Sequence, residues 1–453
     1  MNKLLVGFGR VNITPAMGTP IAGYYNIRLA DKVLDDLEAS AVAFAYGETR
    51  ALLLSVDIAG IYEKVVTPMR HEISRVTGVP FEAIFVACTH THTGADINKN
   101  ILPDVQKVYE EFLTLRLCDA AMFALADLKP ARMGWGVGQA PNISFVRRFR
   151  MKDGSSRTNP GVGNPDIVSP IGDVDERVGV VRFDREGGET IVLANFGTHP
   201  DVVGGCNISA DWPGFARRTV EKAIDNTRCV LLNGAQGDVN HINVAPTPGM
   251  LNDLENDFDD VMRGYGHARF MGRTVAGAVL QVYDKVNYVE VNSLTAMQQV
   301  IHCPSNMPKP EELPLARRYN ELHKAGRDEE IPFEGMMLTT VVAEAERMLD
   351  LEHGPESFAL PMTVLAVGDV ALVGIPGEPF TAIGRALKQA EGWQLVLPCC
   401  ITNGYEGYFP TMEAYLEGGY EARSSIFKAG IAEAVSGAGL EMLDTIRKNK
   451  GGV

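Results

Sequence analysis

The segment Ala83-Ile84-Phe85-Val86-Ala87-Cys88-Thr89-His90-Thr91-His92-Thr93-Gly94 joins an apolar run to a pair of histidines. The run has the length and flanking residues of a buried strand. Side chains two residues apart on a strand lie on one face, so the pattern predicts that His90 and His92 point into the same space. Histidine is the commonest metal ligand, and the pair indicates a metal or catalytic site, with two structural histidines as the alternative.

Strand and helix patterns alternate around this segment. Apolar runs at residues 41–46 and 51–57 predict a hairpin, and further hairpins are predicted for 178–184 with 190–196 and for 362–367 with 371–373. A single strand is predicted at 229–233. Helices are predicted at 65–76, 105–128, 213–224, 268–283, 424–447 and from residue 380. This order predicts an α/β fold with one mixed sheet, or two packed sheets, flanked by helices, and a site at converging strand ends.

No repeat, low-complexity tract or Pro/Ser-rich linker divides the sequence, so we expect a single domain over residues 1–453. Residues 305–357 are expected to form a helical excursion, with 341–351 its clearest helix. Residues 132–176 are rich in Gly, Pro, Asn and Arg and predict a long irregular stretch. Residues 246–263 are acidic and predict a mobile loop.

Composition excludes several classes of partner. Acidic residues outnumber basic ones by 57 to 42, a formal charge of −15, which argues against binding to nucleic acid or to an anionic membrane. The apolar run within residues 1–10 is too short for a secretion signal, and no run in the sequence approaches the length of a membrane span. We therefore expect a cytoplasmic protein without a membrane partner. The seven cysteines include no CxxC pair and indicate reduced thiols.

Four other predicted strand ends carry a polar group beside a Gly/Pro turn. His199 precedes Pro200, which favours an extended backbone at the histidine. The others are the Gly-rich turn 233–241, Glu378 after Pro376-Gly377, and the tyrosines of 403–410. Each has a structural alternative, such as helix capping or aromatic packing. Together with the histidine pair they predict one site at the edge of a sheet.

In this order, the motifs resemble the catalytic domain of the neutral (non-lysosomal) ceramidases. The resemblance spans almost the whole chain and rests on these segments: Gly9-Arg10-Val11-Asn12-Ile13-Thr14-Pro15, Ser55-Val56-Asp57, Thr89-His90-Thr91-His92-Thr93-Gly94, Thr198-His199-Pro200, Gly237-Asp238-Val239, Pro376-Gly377-Glu378 and residues 408–421.

The resemblance implies one zinc ion, or another divalent ion, per chain. Its implied ligands are His90, His199, Glu378 and Tyr408. It places His92 and Tyr420 at the scissile group and adds Asp57 to the catalytic residues. Two imidazoles, a carboxylate and a weak phenol ligand suit a zinc ion with an open, water-bearing position.

The sequence departs from the ceramidase pattern after Gly-Asp-Val. The family's serine is replaced by Asn240, which has no hydroxyl to act as a nucleophile, and His241 follows where the family has proline. We also expect no immunoglobulin-like C-terminal domain. These departures favour a substrate other than ceramide.

Other residues are expected to contact that substrate. The family has an arginine lining its active site, for which Arg147 or Arg148 is the counterpart, and a solvated loop is the alternative. His241 and Asp211 are further expected contacts, with helix capping as the default alternative for Asp211.

The sequence thus predicts a zinc-dependent hydrolase that acts through metal-bound water on a small polar substrate, at an amide (N-acyl) bond. A hydrolase of ester, lactone or glycosidic bonds on the same metal core is one alternative. A metal-dependent carbohydrate- or peptide-binding protein without turnover is another. The sequence makes no prediction of the oligomeric state.

Overall fold

The computed structural model describes residues 2–246 and 263–450. The strands, numbered in chain order, are β1 (Leu5–Asn12), β2 (Lys32–Val33), β3 (Glu38–Tyr46), β4 (Thr49–Val56), β5 (Ile84–Cys88), β6 (Lys129–Gln139), β7 (Phe145–Val146), β8 (Arg148–Met151), β9 (Ser156–Thr158), β10 (Ile167–Pro170), β11 (Arg177–Arg185), β12 (Thr190–Phe196), β13 (Asn207–Ile208), β14 (Thr227–Asn233), β15 (Val239–Asn240), β16 (Asn287–Val289), β17 (Leu294–Pro304), β18 (Ser357–Val367), β19 (Val370–Gly374), β20 (Glu378–Pro379), β21 (Leu395–Cys399) and β22 (Tyr408–Phe409).

The α-helices are α1 (Glu63–Thr77), α2 (Pro103–Ala126), α3 (Asp211–Ala223), α4 (Tyr265–Tyr283), α5 (Leu313–Lys324), α6 (Gly335–Asp350), α7 (Thr381–Leu387), α8 (Met412–Glu417), α9 (Tyr420–Ser424) and α10 (Ile431–Lys450). The loop predicted over 246–263 lies, apart from its first and last residues, outside the described residues. None of the described helices is both long enough and apolar enough to cross a membrane.

The largest sheet has nine strands in the order β14-β12-β11-β6-β1-β3-β4-β5, with β16 paired to β6. Its predicted hairpins β3–β4 and β11–β12 are antiparallel, whereas β4–β5 and β12–β14 are parallel. The strands β5 and β14, at the two ends of this order, approach each other: Asn233 Nδ2 donates to the Thr89 carbonyl at 3.1 Å. The end of the strand that precedes the histidine pair and the start of the Gly-rich turn after β14 therefore meet in space.

A four-stranded sheet, β17-β18-β19-β21, packs against the large one. Apolar residues from both sheets, such as Leu53, Leu365 and Leu397, belong to one buried cluster. Helices α1 and α2 cover one side of this assembly, and α7 and α10 cover the small sheet through a separate buried cluster. The prediction of mixed sheets flanked by helices is confirmed.

The prediction of an irregular stretch over 132–176 is wrong in its first part, because β6 is a long strand inside the large sheet. Alternate glycines on β6 let α4 lie directly against the strand: a Cβ at Gly138 would be 2.1 Å from the Ala278 carbonyl oxygen. Strand β1 is covered by α2 in the same way, with a Cβ at Gly9 only 2.3 Å from the Ala120 carbonyl oxygen. Glycine marks close helix packing here rather than a loop.

The last predicted helix, 424–447, is also corrected. Helix α9 ends at Ser424, and α10 begins only at Ile431. Between them Phe427 forms a β-bridge with Ser305, and Gly430 has a left-handed φ of 108°, so the chain turns before α10 starts. Residues 305–357, where a helical excursion was expected, contain α5 and α6.

Candidate metal centre

His90 and His92 lie in the loop that follows β5, not on a strand. His90 has a left-handed φ of 73°, so the argument from a shared strand face is wrong in its geometry. The two rings converge nevertheless, with their Nε2 atoms 3.2 Å apart. His90 Nδ1 is 2.5 Å from the Ala59 carbonyl oxygen, which assigns the ring proton to Nδ1 and leaves the Nε2 lone pair directed at the cluster.

His199 reaches the same place from the end of β12. Its Nδ1 lies 3.0 Å from the Gln236 carbonyl oxygen and 3.2 Å from that of Val239, both in the Gly-rich turn after β14. Its Nε2 lies 3.0 Å from Glu378 Oε2. Backbone carbonyls thus orient both His90 and His199 in the manner usual for metal-ligating imidazoles.

Glu378 and Tyr408 are register partners in the short parallel pair β20–β22. Glu378 Oε2 lies 3.4 Å from His90 Nε2, and Oε1 accepts a hydrogen bond from the Tyr405 hydroxyl at 3.0 Å. The Tyr408 hydroxyl lies 3.4 Å from His199 Nε2. The parallel pairing therefore brings a carboxylate and a phenol to the histidines together.

Electrostatics favour the protonation states that a metal requires. Burial, followed by the charge of Arg147, lowers the pKa of His199, and burial lowers the pKa of His92 well below its usual range. Burial opposes ionisation of Glu378, but His90 and His199 hold the pKa of that carboxyl well below its usual range. An ionised Glu378 carboxylate beside the His92 and His199 imidazoles, whose burial disfavours the charged form, is a donor set for a divalent cation.

The residues fit such an ion. Ligand atoms of His90, His92 and His199 all lie within 4.8 Å of one another, and the three side chains are buried. Glu378 adds an oxygen ligand, and a cation would satisfy ring nitrogens and a carboxylate oxygen that converge in a buried space. The geometry brings together all four implied ligands, and it places His92 as near the centre as Tyr408.

Tyrosines and one glycine close the site on the outer side. The Tyr420 ring packs edge-on against Tyr408, and its hydroxyl lies 3.4 Å from the Tyr25 hydroxyl. The ring of His92 lies against the backbone of Gly23, where an added Cβ would be 2.5 Å from the ring. The sequence argument missed Tyr25 and Gly23, although glycine beside tyrosine is the same signal that singled out residues 403–410.

Both expected substrate-contacting arginines have partners inside the protein. Arg147 is buried, with Nε 2.7 Å from Glu421 Oε1 and a second nitrogen donating to the Gly237 carbonyl at 2.6 Å. Its guanidinium also lies over the Tyr408 ring, 5.2 Å from the centroid. Arg148 pairs with Glu417 at 3.0 Å. Arg147 thus borders the metal ligands, but its charge is already compensated by a carboxylate.

Asp57 and Asp211 hold parts of the fold in place. Asp57 forms a buried ion pair with Arg217 at 2.9 Å, and it accepts the backbone amide of Glu38 at 2.9 Å. Asp211 has a left-handed φ of 53° at the first residue of α3. Its carboxylate accepts the amides of Val203 at 2.8 Å and Trp212 at 2.5 Å, so it holds the start of α3 against the loop after β12. These contacts favour structural roles over the expected catalytic and substrate-binding ones.

Asn240 and His241 lie next to the turn that orients His199. Asn240 is buried, its side-chain amide donates to Asn159 Oδ1 at 3.0 Å, and its oxygen accepts the Ile242 amide at 3.0 Å. His241 is also buried, with Nδ1 3.1 Å from Asp201 Oδ1. Asn240, at the end of β15, thus holds this strand to the segment that follows β9.

Comparison with known proteins identifies the fold. No protein-family model matches the chain. The solved neutral ceramidase from Pseudomonas aeruginosa superposes with a TM-score of 0.74, covering 99% of this chain and 75% of that chain, at 18% sequence identity. A ceramidase structure described as complexed with C2 gives the same TM-score and covers 76% of that chain. The chain has the neutral-ceramidase fold.

Sequence similarity to named proteins is shorter in extent. A segment of 74 residues is 36% identical to the neutral ceramidase of Mycobacterium tuberculosis, and one of 76 residues is 33% identical to neutral ceramidase B of Dictyostelium discoideum. The matches cover 15% of this chain and 11–12% of the curated relatives' length. Sequence and structure comparisons therefore lead to the same group of proteins. The curated sequence matches cover only a small part of this chain and of its relatives.

Proposed function

We propose that this protein is a metal-dependent hydrolase of amide (N-acyl) bonds that binds one zinc ion per chain. The observation that carries the proposal is the convergence of His90, His199 and Glu378, with Nε2–Oε2 distances of 3.0 and 3.4 Å, in a buried centre. Support for the bond type comes from the ceramidases whose fold the chain has, since ceramide is an N-acyl amide.

Zinc bound here would supply Lewis acidity and lower the pKa of a water molecule that it binds. The protein's own groups account for the rest of the chemistry. The Tyr420 hydroxyl would donate a hydrogen bond to the carbonyl oxygen of the scissile amide as negative charge develops there. His92, with Nε2 directed into the cluster, would accept a proton from the water that attacks the carbonyl carbon and pass it to the leaving nitrogen as the C–N bond breaks.

The surroundings of the site bear on the kind of N-acyl amide. The expectation of a small polar substrate drew on a positive lining from Arg147 and Arg148, but Glu421 and Glu417 compensate these charges. Tyrosines such as Tyr25 and Tyr420 flank the centre instead. Together with the ceramidase comparisons, this favours an amide with a lipophilic acyl group.

The test is a matched substrate panel with the zinc-loaded protein. It contains a ceramide in detergent micelles, a short-chain water-soluble N-acyl amide, the corresponding ester and an aryl glycoside. We expect release of free amine and fatty acid from at least one of the amides, and loss of that release in Glu378→Gln. Faster cleavage of the ester or glycoside than of either amide would contradict the bond assignment. Absence of turnover on all four would favour the binding-protein alternative.

A further inference from the structure

Helix α2 has an apolar outer face. Its inner face packs on β1 and β3 through buried residues such as Leu113, Leu117 and Ala120. The opposite face carries large apolar side chains with high exposure: Val105 40%, Val108 68%, Phe112 38%, Leu115 63%, Met122 40% and Phe123 53%. A helix that is apolar on both sides is normally buried on both sides.

These side chains form a continuous stripe. Positions 105, 108, 112, 115, 119 and 122 alternate steps of three and four residues, which is the a/d spacing of helices that pack along a seam. The one polar residue in this series is Asp119, and it is paired with Arg116 of the same helix at 2.8 Å. No contact among the described residues covers the stripe.

We propose that α2 is the interface of a homodimer, in which the helix packs antiparallel against α2 of a second copy. The six side chains expose roughly 500 Å² of apolar surface, the size at which an exposed patch marks an interaction site. Two such faces with their polar rims would bury on the order of 1,200 Å², the lower bound for a stable dimer.

The stripe is self-complementary about its middle. A two-fold axis between Phe112 and Leu115 places each of these residues opposite the other in the second copy, and it places Val105 opposite Met122. Val108 then lies opposite Asp119, whose carboxylate is held by Arg116 of its own helix. Two of the three kinds of stripe pair are thus apolar on both sides of an isologous interface, the symmetry that a closed dimer has. A second copy is therefore the occupant that this helix matches by its own sequence.

Sedimentation equilibrium of the purified full chain tests the proposal. We expect twice the 49.2 kDa chain mass at micromolar concentration. Val108→Glu with Leu115→Glu should raise the dimer dissociation constant at least about 100-fold, because charges would be buried at the centre of the interface. Leu416→Glu, at a side chain 84% exposed on α8, is the control and should leave the dimer intact. A wild-type monomer, or a dimer that survives the double substitution, would overturn the proposal.

Oxidative cross-linking tests the antiparallel register. Phe112→Cys with Leu115→Cys brings a cysteine of each copy opposite one of the other and should give a covalent dimer. Val105→Cys with Leu115→Cys has no opposed pair in this register and should stay uncross-linked. Cross-linking of the second variant would indicate a parallel arrangement, in which each position faces the same position of the other copy and both variants cross-link, and it would contradict the antiparallel register.

Discussion

His199 Nε2 lies 3.0 Å from Glu378 Oε2, although His199 follows β12 of the large sheet and Glu378 begins β20, which lies in the chain between β19 and β21 of the small sheet. The Gly-rich turn after β14 connects them. It orients His199 through its carbonyls, and its Gln236 amide donates to the same Glu378 oxygen at 3.2 Å. The centre therefore forms only when both sheets pack together in the folded protein.

The first prediction distinguishes His92 from Tyr408 as metal ligand. The resemblance assigns the metal to Tyr408, and then His92→Ala should keep its metal while kcat falls by roughly 10²-fold or more, since a transition-state contact is lost. Zinc content and amide turnover of His92→Ala and Tyr408→Phe decide the matter. Loss of zinc in His92→Ala together with zinc retention in Tyr408→Phe would reverse the assignment.

The second prediction concerns Gly23, whose backbone contacts the His92 ring. Gly23→Ala should reduce amide turnover at least about 10-fold, because its Cβ would displace a ring that must be held in place. Gly18→Ala is the matched control, since Gly18 also has a left-handed φ, of 83°, but faces open space. It should lose about 1 kcal/mol of stability and keep its activity. Equal activity in both variants would show that the His92 ring tolerates displacement.

The sequence predicts the regular parts of this fold well, for a physical reason. Hairpins such as β3–β4 and helices such as α1 have apolar residues at regular spacing, because they bury one face or both. This spacing can be read from the local sequence alone. The strand β6 was missed because its glycines leave room for the close approach of α4, which is distant in sequence. A local pattern contains no information about which helix will approach.

The candidate site shows the same division. Histidines and Glu378 beside Gly/Pro turns could be recognised locally, and the structure brings them together. The partners of Arg147 and Asp57 could not, since Glu421 and Arg217 are far away in the chain and each looks like an ordinary surface charge in the sequence. Whether a charged side chain faces a substrate or an ion-pair partner depends on tertiary packing.

The third prediction concerns the buried ion pair of Arg147 and Glu421. Glu421→Gln should destabilise the protein by about 3–5 kcal/mol, because it leaves a buried guanidinium uncompensated. Glu417→Gln breaks the pairs with Arg148 and Arg150 at a more exposed carboxylate and should cost less, about 1 kcal/mol. Urea unfolding measures both. A Glu421→Gln cost no larger than that of Glu417→Gln would refute the assignment of a buried pair.

The fourth prediction is a pH dependence of stability from Glu406. Burial raises the pKa of Glu406 to about 7, from an ordinary value of about 4.3. Between these values the folded chain binds more protons than the unfolded chain, so this group's contribution to stability is present at low pH and is lost as pH rises towards 7. Wild type should therefore lose stability relative to Glu406→Gln across that window and change little above it.

Unfolding curves at intervals from pH 5 to pH 8 measure the difference. Glu311→Gln, at an exposed position just before α5, is the control and should leave a constant difference from wild type. A constant difference for Glu406→Gln as well would show that Glu406 is ionised in the folded protein throughout.

The central claim is tested most directly by the metal content of protein purified without chelator. Elemental analysis should find about one zinc or similar divalent ion per chain, since the proposed ligands form one site. His199→Ala and Glu378→Gln should lose that ion and unfold at a lower temperature, whereas His302→Ala, at an exposed histidine, should keep it. Wild-type protein without a bound divalent ion, or His199→Ala with a full complement, would contradict the account.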